Sequence, residues 1–203
     1  MNLIIDIGNT MTKLAVFQRD KILKTKTIGG SSLVLEVENI LLEFTEIKQG
    51  LVSSVGFLST KELDALEKRL PLTILNSGLK LPFKVHYETP NTLGSDRLAL
   101  MAAAATQYPW QNVLVIDAGS CITYDFVDSQ KNYLGGAIAP GIQMRYKSLS
   151  EFTSSLPSLQ KKIPKHPIGN TTNNSIHSGI VHGLLYEIEG TVREYQNNYS
   201  DLT

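Results

Sequence analysis

Apolar and polar positions along this chain change period several times, and the changes mark its elements. Leu3, Ile4 and Ile5 run into Asp6, Ile7, Gly8, Asn9 and Thr10, and then Leu14, Ala15, Val16 and Phe17 follow. Apolar and β-branched residues on both sides of turn-forming Asp, Gly and Asn predict a buried strand, a tight turn and a second strand. The same phrase returns half a chain later: Val113 to Ile116, then Asp117, Ala118, Gly119 and Ser120, then Ile122 to Val127. Two related halves are expected. Between them, a charged turn at 18–21 leads into a third strand, and residues 31–44 carry apolar positions at helical spacing behind the capping serines Ser31 and Ser32. A short buried strand is expected from residue 50, a helix over 59–70 capped by Ser59 or Thr60, and a strand over 72–76. Alanine and leucine over 97–108 predict a connecting helix.

The second half continues with a glycine-rich run over 132–141 that carries Pro140, and with helical periodicity over 141–156 and 175–196. The stretch 157–173, with Pro157, Pro164 and Pro167, reads as an ordered loop at a surface or a site. The order β-β-β-α-β-α-β in the first half indicates an α/β fold in which helices pack on a mixed sheet. A chain of 203 residues forms one large domain or two small ones.

Charge narrows the partners. Lys plus Arg number 19 and Asp plus Glu number 19, so no excess charge recruits nucleic acid or an anionic membrane. The single cysteine, Cys121, forms no internal disulfide and excludes a multi-cysteine metal site within one chain. No run approaches the roughly 18 apolar residues of a membrane span. A soluble, unprocessed cytoplasmic protein is expected.

The Asp-x-Gly turn places a carboxylate at a strand end, beside backbone that comes close to a phosphate because glycine has no side chain. Asn9, Thr10 and Ser120 add hydroxyl, amide and N–H groups. Two such turns facing across a cleft would hold a polyphosphate and its Mg²⁺; the alternative is a pair of plain hairpins. Gly94, Ser95, Asp96 and Arg97 directly precede the alanine-rich helix. Ser95 or Asp96 would serve as an N-cap beside a surface arginine; beside two phosphate-type turns, Asp96 is also a candidate general base and Arg97 a candidate cation for substrate charge. Tyr87 would line a pocket or fill a core. His86, His166, His177 and His182 show no metal-ligand pattern, and Cys121, followed by Ile122, reads as a buried small side chain. Neither a G-x-x-x-x-G-K-[ST] loop nor a G-x-G-x-x-G fingerprint is present.

With DIGNTMTK at 6–13, TPNTLGSDRLA from Thr89, VIDAGSCITYDFV from Val115, GGAIAPG from Gly135 and IGNTTNNSIHSGIVHG from Ile168, the chain resembles the type III pantothenate kinases. These belong to the superfamily of acetate and sugar kinases, heat-shock chaperones and actin. The resemblance implies transfer of the ATP γ-phosphoryl group to pantothenate, giving 4′-phosphopantothenate, the first step toward coenzyme A. It implies two ribonuclease H-like (actin-like ATPase) domains, 1–105 and 106–203, with the active-site cleft between them, the second truncated at its C-terminus. Asp6, Ile7, Gly8, Asn9, Thr10, Met11, Thr12 and Lys13 match the first ATP phosphate segment, and Ser120 matches a further ATP contact. Asp96 matches the catalytic base. Tyr87, Gly94, Ser95, Asp96 and Arg97 match the pantothenate pocket, together with Thr172, for which Thr171 is the neighbouring alternative. Asp117 matches a site for a monovalent cation, K⁺ or NH₄⁺. Because the family's threonine reaches the partner subunit's site, a homodimer is implied. The rival readings are a non-catalytic transcriptional accessory protein of the same fold and a kinase with another small-molecule substrate.

Overall fold

A computed structural model of the chain describes residues 1–29 and 32–203, and these divide into two compact units. The first comprises residues 1–81 and 88–102, the second residues 82–87 and 103–203. The expected cap Ser31 lies outside the described residues.

The first unit is built on a five-stranded sheet. Strands β1 (Asn2–Ile7), β2 (Thr12–Gln18) and β3 (Lys21–Ile28) form an antiparallel meander, and β4 (Gln49–Ser54) and β5 (Leu72–Ile74) add in parallel, in the order β3-β2-β1-β4-β5. Helix α1 (Leu33–Glu43) starts where the Ser32 hydroxyl accepts the Leu35 N–H, and it buries Leu33, Val37 and Ile40 at helical spacing. Helix α2 (Thr60–Glu67) opens on a reciprocal pair: Ser59 Oγ accepts the Glu62 N–H (3.3 Å) and Glu62 Oε2 accepts the Ser59 N–H (3.2 Å). These caps satisfy N–H groups that the first helical turn leaves unpaired. Leu3, Ile5, Leu14, Val16 and Val52 of the sheet pack with the two helices into one core.

In the second unit β7 (Val113–Ala118), β8 (Cys121–Val127) and β9 (Asn132–Pro140) repeat the meander, and the short β6 (Lys84–Val85) joins the edge in the order β6-β9-β8-β7. Residues Asn112 and Leu202 form a parallel bridge beside β7, with Leu114 N–H donating to the Thr203 carbonyl (3.0 Å). That is the position β4 holds beside β1. Helix α3 (Ser95–Gln107) begins in the first unit and ends in the second. Helix α4 (Ile142–Glu151) is shorter than its periodicity predicts, and α5 (Thr172–Asn198) begins earlier, at the Thr171 cap. Tyr195 and Tyr199 of α5 pack on Phe126 of β8, with ring centroids 5.2 and 4.2 Å away. No helix among the described residues is long and apolar enough to cross a membrane.

Candidate active site

In the first unit β1 carries Asp6 to the end of the sheet, where Ile7 is the last paired residue and the chain turns over 8–11. The Gly8 N–H donates to the Met11 carbonyl (3.1 Å), which closes the turn and leaves Asn9, Thr10 and Met11 exposed. Thr12 opens β2, and Lys13 stands opposite Asp6, so an ammonium and a carboxylate share one face of the hairpin. The turn is buttressed from the chain after β4: Val55 and Gly56 both donate their N–H to the Ile7 carbonyl (3.0 and 2.9 Å). A Cβ at Gly56 would overlap the Gly8 carbonyl, so this approach requires glycine.

The Gly94 to Arg97 stretch is fastened to the same strand ends. Ser53 of β4 neighbours Asp6 of β1 in the parallel ladder. Buried Ser95 accepts the Ser54 N–H (2.8 Å) on Oγ, which also lies 3.1 Å from Ser53 Oγ. Its hydroxyl is therefore engaged on β4 rather than in capping α3. Half-buried Asp96 sits in the first turn of α3, where the positive end of the helix dipole favours a carboxylate. Its Oδ1 accepts the Arg97 N–H (2.8 Å), and Oδ2 has no hydrogen bond among the described residues. Arg97 is 6 % exposed and so is not the surface arginine of the capping alternative. A cavity of about 580 Å³ opens beside this turn, lined by Ser54, Asn76, Thr92, Gly94 and Ser95 among others.

The second unit holds the remaining candidates. Asp117 is exposed near the end of β7, opposite Thr123 of β8, whose Oγ1 is buried without a hydrogen-bond partner among the described residues. The following turn is closed by Gly119 N–H to the Cys121 carbonyl (2.9 Å) and braced by Gly141 N–H to the Ser120 carbonyl (3.1 Å). Arg145 of α4 fastens that brace by donating from Nε to the Pro140 carbonyl (2.8 Å) and pairing with Glu187 of α5 (2.7 Å). Tyr124 donates to the other Glu187 oxygen (3.0 Å); burial, then that bond, push its phenol up to about 12. Tyr87 follows β6, its ring stacked on Tyr133. Thr171 is the N-cap of α5, its Oγ1 accepting the Asn174 N–H (3.2 Å). Thr172 is exposed at the first helical position and lines a cavity of about 700 Å³ with Arg145, Ile176 and Gly179 among others.

The structure thus brings the Asp6 to Lys13 turn and the Gly94 to Arg97 stretch together within the first unit, and Asp117 and Ser120 together on one turn of the second. Sequence reasoning missed Ser53, Ser54 and Gly56; the signal was the Ser-Ser-Val-Gly run at the end of a predicted strand. Of the histidines, His177 is buried on the Tyr146 hydroxyl (2.7 Å) and His182 lies 3.2 Å from Ser178 Oγ. Among the described residues no three His, Cys, Asp or Glu side chains cluster as metal ligands. Cys121 is half-buried.

The family model described as type III pantothenate kinase matches residues 2–194. A type III pantothenate kinase of Christiangramia forsetii is 45% identical over 203 residues, covering 100% of this chain and 84% of that protein. Among solved structures, a protein of Campylobacter jejuni described as a Baf family transcriptional activator superposes with a TM-score of 0.51 at 23% identity, over 93% of this chain and 78% of that one. A protein of Sinorhizobium meliloti described as a 2-dehydro-3-deoxygalactonokinase gives 0.53 at 11% identity, over 97% and 73%. The two superpositions show the fold alone, mixed sheets flanked by helices.

Proposed function

The chain belongs to the type III pantothenate kinase family, and from that premise we infer that it transfers the γ-phosphoryl group of ATP to pantothenate, giving 4′-phosphopantothenate on the route to coenzyme A. The observation that carries the assignment of roles is the Ser95 hydroxyl bonded to the end of β4, because it fixes Asp96 next to the Asp6 turn. Asp96 is the base that accepts the proton of the pantothenate hydroxyl. Gly94, Ser95, Arg97, Tyr87 and Thr172 bind pantothenate. The capping role of Thr171 and the uncapped position of Thr172 support choosing Thr172.

The turn from Asp6 to Lys13 binds the ATP phosphates through backbone N–H groups and the Lys13 ammonium, with Ser120 as a further contact. Mg²⁺ bound with the nucleotide supplies neutralisation of the phosphate charge, and Asp6 fits it, since Mg²⁺ is commonly held by one or two carboxylates together with phosphates. The oxygens at Asp117 fit a K⁺ or NH₄⁺ ion, because the Thr123 hydroxyl opposite is a buried oxygen without a hydrogen-bond partner among the described residues. The enzyme acts as a cytoplasmic homodimer and does not bind nucleic acid. The dimer is supported by exposed Phe152, Ile163, Ile168, Leu185 and Tyr186 in the second unit, and the absence of nucleic-acid binding by the balanced charge.

Asp96→Asn tests the base. Loose phosphoryl-transfer transition states depend on alignment and charge more than on the base, but general bases still contribute about 10²-fold or more. Turnover is expected to fall by about that factor with the pantothenate KM within about threefold of the original. Equal losses in turnover and in binding would reject the role.

A further inference from the structure

We propose that Tyr133, the β-bulge at Leu134 and Gly135, and the buried Asp125 form a positioning device that holds the Tyr87 ring for pantothenate. The inference rests on the reading of Tyr87 as a pantothenate contact.

The device begins in the register of β9. Phe126 of β8 faces Gly135, yet Val127 faces Tyr133, so Leu134 is the extra residue of a bulge. Gly135 has φ +101°, a conformation that other residues adopt only under strain. Bulges re-aim side chains and end pairing, and they recur beside active sites. Pairing with β6 does end here. Lys84 and Val85 match Asn132 and Tyr133, and the last bond runs from His86 N–H to the Tyr133 carbonyl (2.9 Å). Tyr87 is the next residue, released from the sheet where β9 bulges. A Cβ at Gly135 would stand 3.4 Å from the Tyr87 ring, so the ring lies against the glycine.

Tyr133 supplies the plane on which Tyr87 rests. It is fully buried, and its hydroxyl donates to Asp125 Oδ1 (2.7 Å), itself at 0 % exposure. Phe83 meets its ring edge-on, with centroids 6.0 Å apart at 67°. Tyr87 stacks on it at 6.3 Å and 16°. The Tyr133 ring is thereby held at its hydroxyl by a carboxylate and at its side by Phe83. What the polar pair adds is a fixed ring angle, and Tyr87 inherits it.

The test is steady-state kinetics with thermal melting on four variants. Tyr87→Ala examines the underlying reading and is expected to raise the pantothenate KM about tenfold. Tyr133→Phe keeps the ring but frees it from Asp125, and is expected to raise the pantothenate KM about fivefold while the ATP KM and turnover stay within about twofold. Asp125→Asn keeps an acceptor for the hydroxyl and gives a smaller rise. Because Tyr133→Phe takes this hydroxyl from the buried Asp125 carboxylate, the pair Tyr133→Phe with Asp125→Asn removes the hydroxyl and the charge together; it is expected to match the Tyr133→Phe effect. A raised KM in Tyr87→Ala with wild-type pantothenate KM in both Tyr133 variants, whatever their melting temperatures, overturns the positioning role alone. A wild-type pantothenate KM in Tyr87→Ala overturns the contact itself, and the device with it.

Discussion

At the scale of single residues, Asp6 and Asp117 occupy equivalent places, each near the end of the first strand of a meander, yet their surroundings differ. Asp6 faces Lys13, whereas Asp117 faces the Thr123 hydroxyl, which has no hydrogen-bond partner among the described residues. Replacing Asp117 by Ala should therefore abolish stimulation by K⁺ over Na⁺ in a turnover assay, with little change in the protein's melting temperature, since the side chain is exposed. Unchanged K⁺ dependence would remove the cation from that position. Gly56→Ala should raise the ATP KM by about tenfold or more and lower stability by about 1–3 kcal/mol, because the new methyl group must displace the Gly8 carbonyl. A melting curve and an ATP titration of the one variant check both effects. Both aspartates were legible in the sequence, since each stands in an Asp-x-Gly turn between apolar runs. Gly56 was not, because its need for a small side chain arises from the turn at Gly8, which is distant in the chain.

At the scale of elements, the strongest signals were local ones. The capping serines announced α1 and α2, and removing the reciprocal bond by Ser59→Ala should lower stability by about 1 kcal/mol in a denaturant titration, with wild-type turnover. What stayed illegible depends on distant partners or on competing side chains. Strand β6 has two residues, and only its pairing with β9 makes it a strand. Strand β9 itself looked like a glycine-rich run because Gly135 and Gly136 have low β propensity, and tertiary pairing with β8 overrides that preference. Helix α4 stops at Glu151 although its periodicity continues. Thr153 donates its hydroxyl to the Leu149 carbonyl (2.6 Å) and accepts the Leu156 N–H (3.3 Å), offering the backbone an alternative to the helix. The bond between Tyr124 of β8 and Glu187 of α5 makes a prediction in alkali. The folded phenol titrates at about 12 against an ordinary 10.0, so its contribution is fully present below pH 10 and is lost as pH rises toward 12. Tyr124→Phe should flatten the fall in melting temperature over that interval; an identical alkaline slope in both proteins would contradict the assignment.

At the scale of the whole molecule, the repeated phrase at Asp6 and Asp117 made two α/β halves readable, and the structure supplies two mixed sheets that each contain a three-stranded meander. The substrate was not readable in that way. Asp-x-Gly turns address phosphate and metal, so pantothenate came from the ordered set of motifs and then from the family match over residues 2–194. The fastening of α3 to β4 by Ser95 also lay beyond the sequence, because a serine at a helix start ordinarily reads as a cap. The measurement that tests the central claim most directly is coupled ADP formation by the purified 203-residue chain with Mg²⁺ and K⁺, comparing pantothenate with buffer. ADP is expected to be released in step with pantothenate consumed, with little released without it; ADP formation at the same rate in buffer, or none with pantothenate present, would contradict a pantothenate kinase activity.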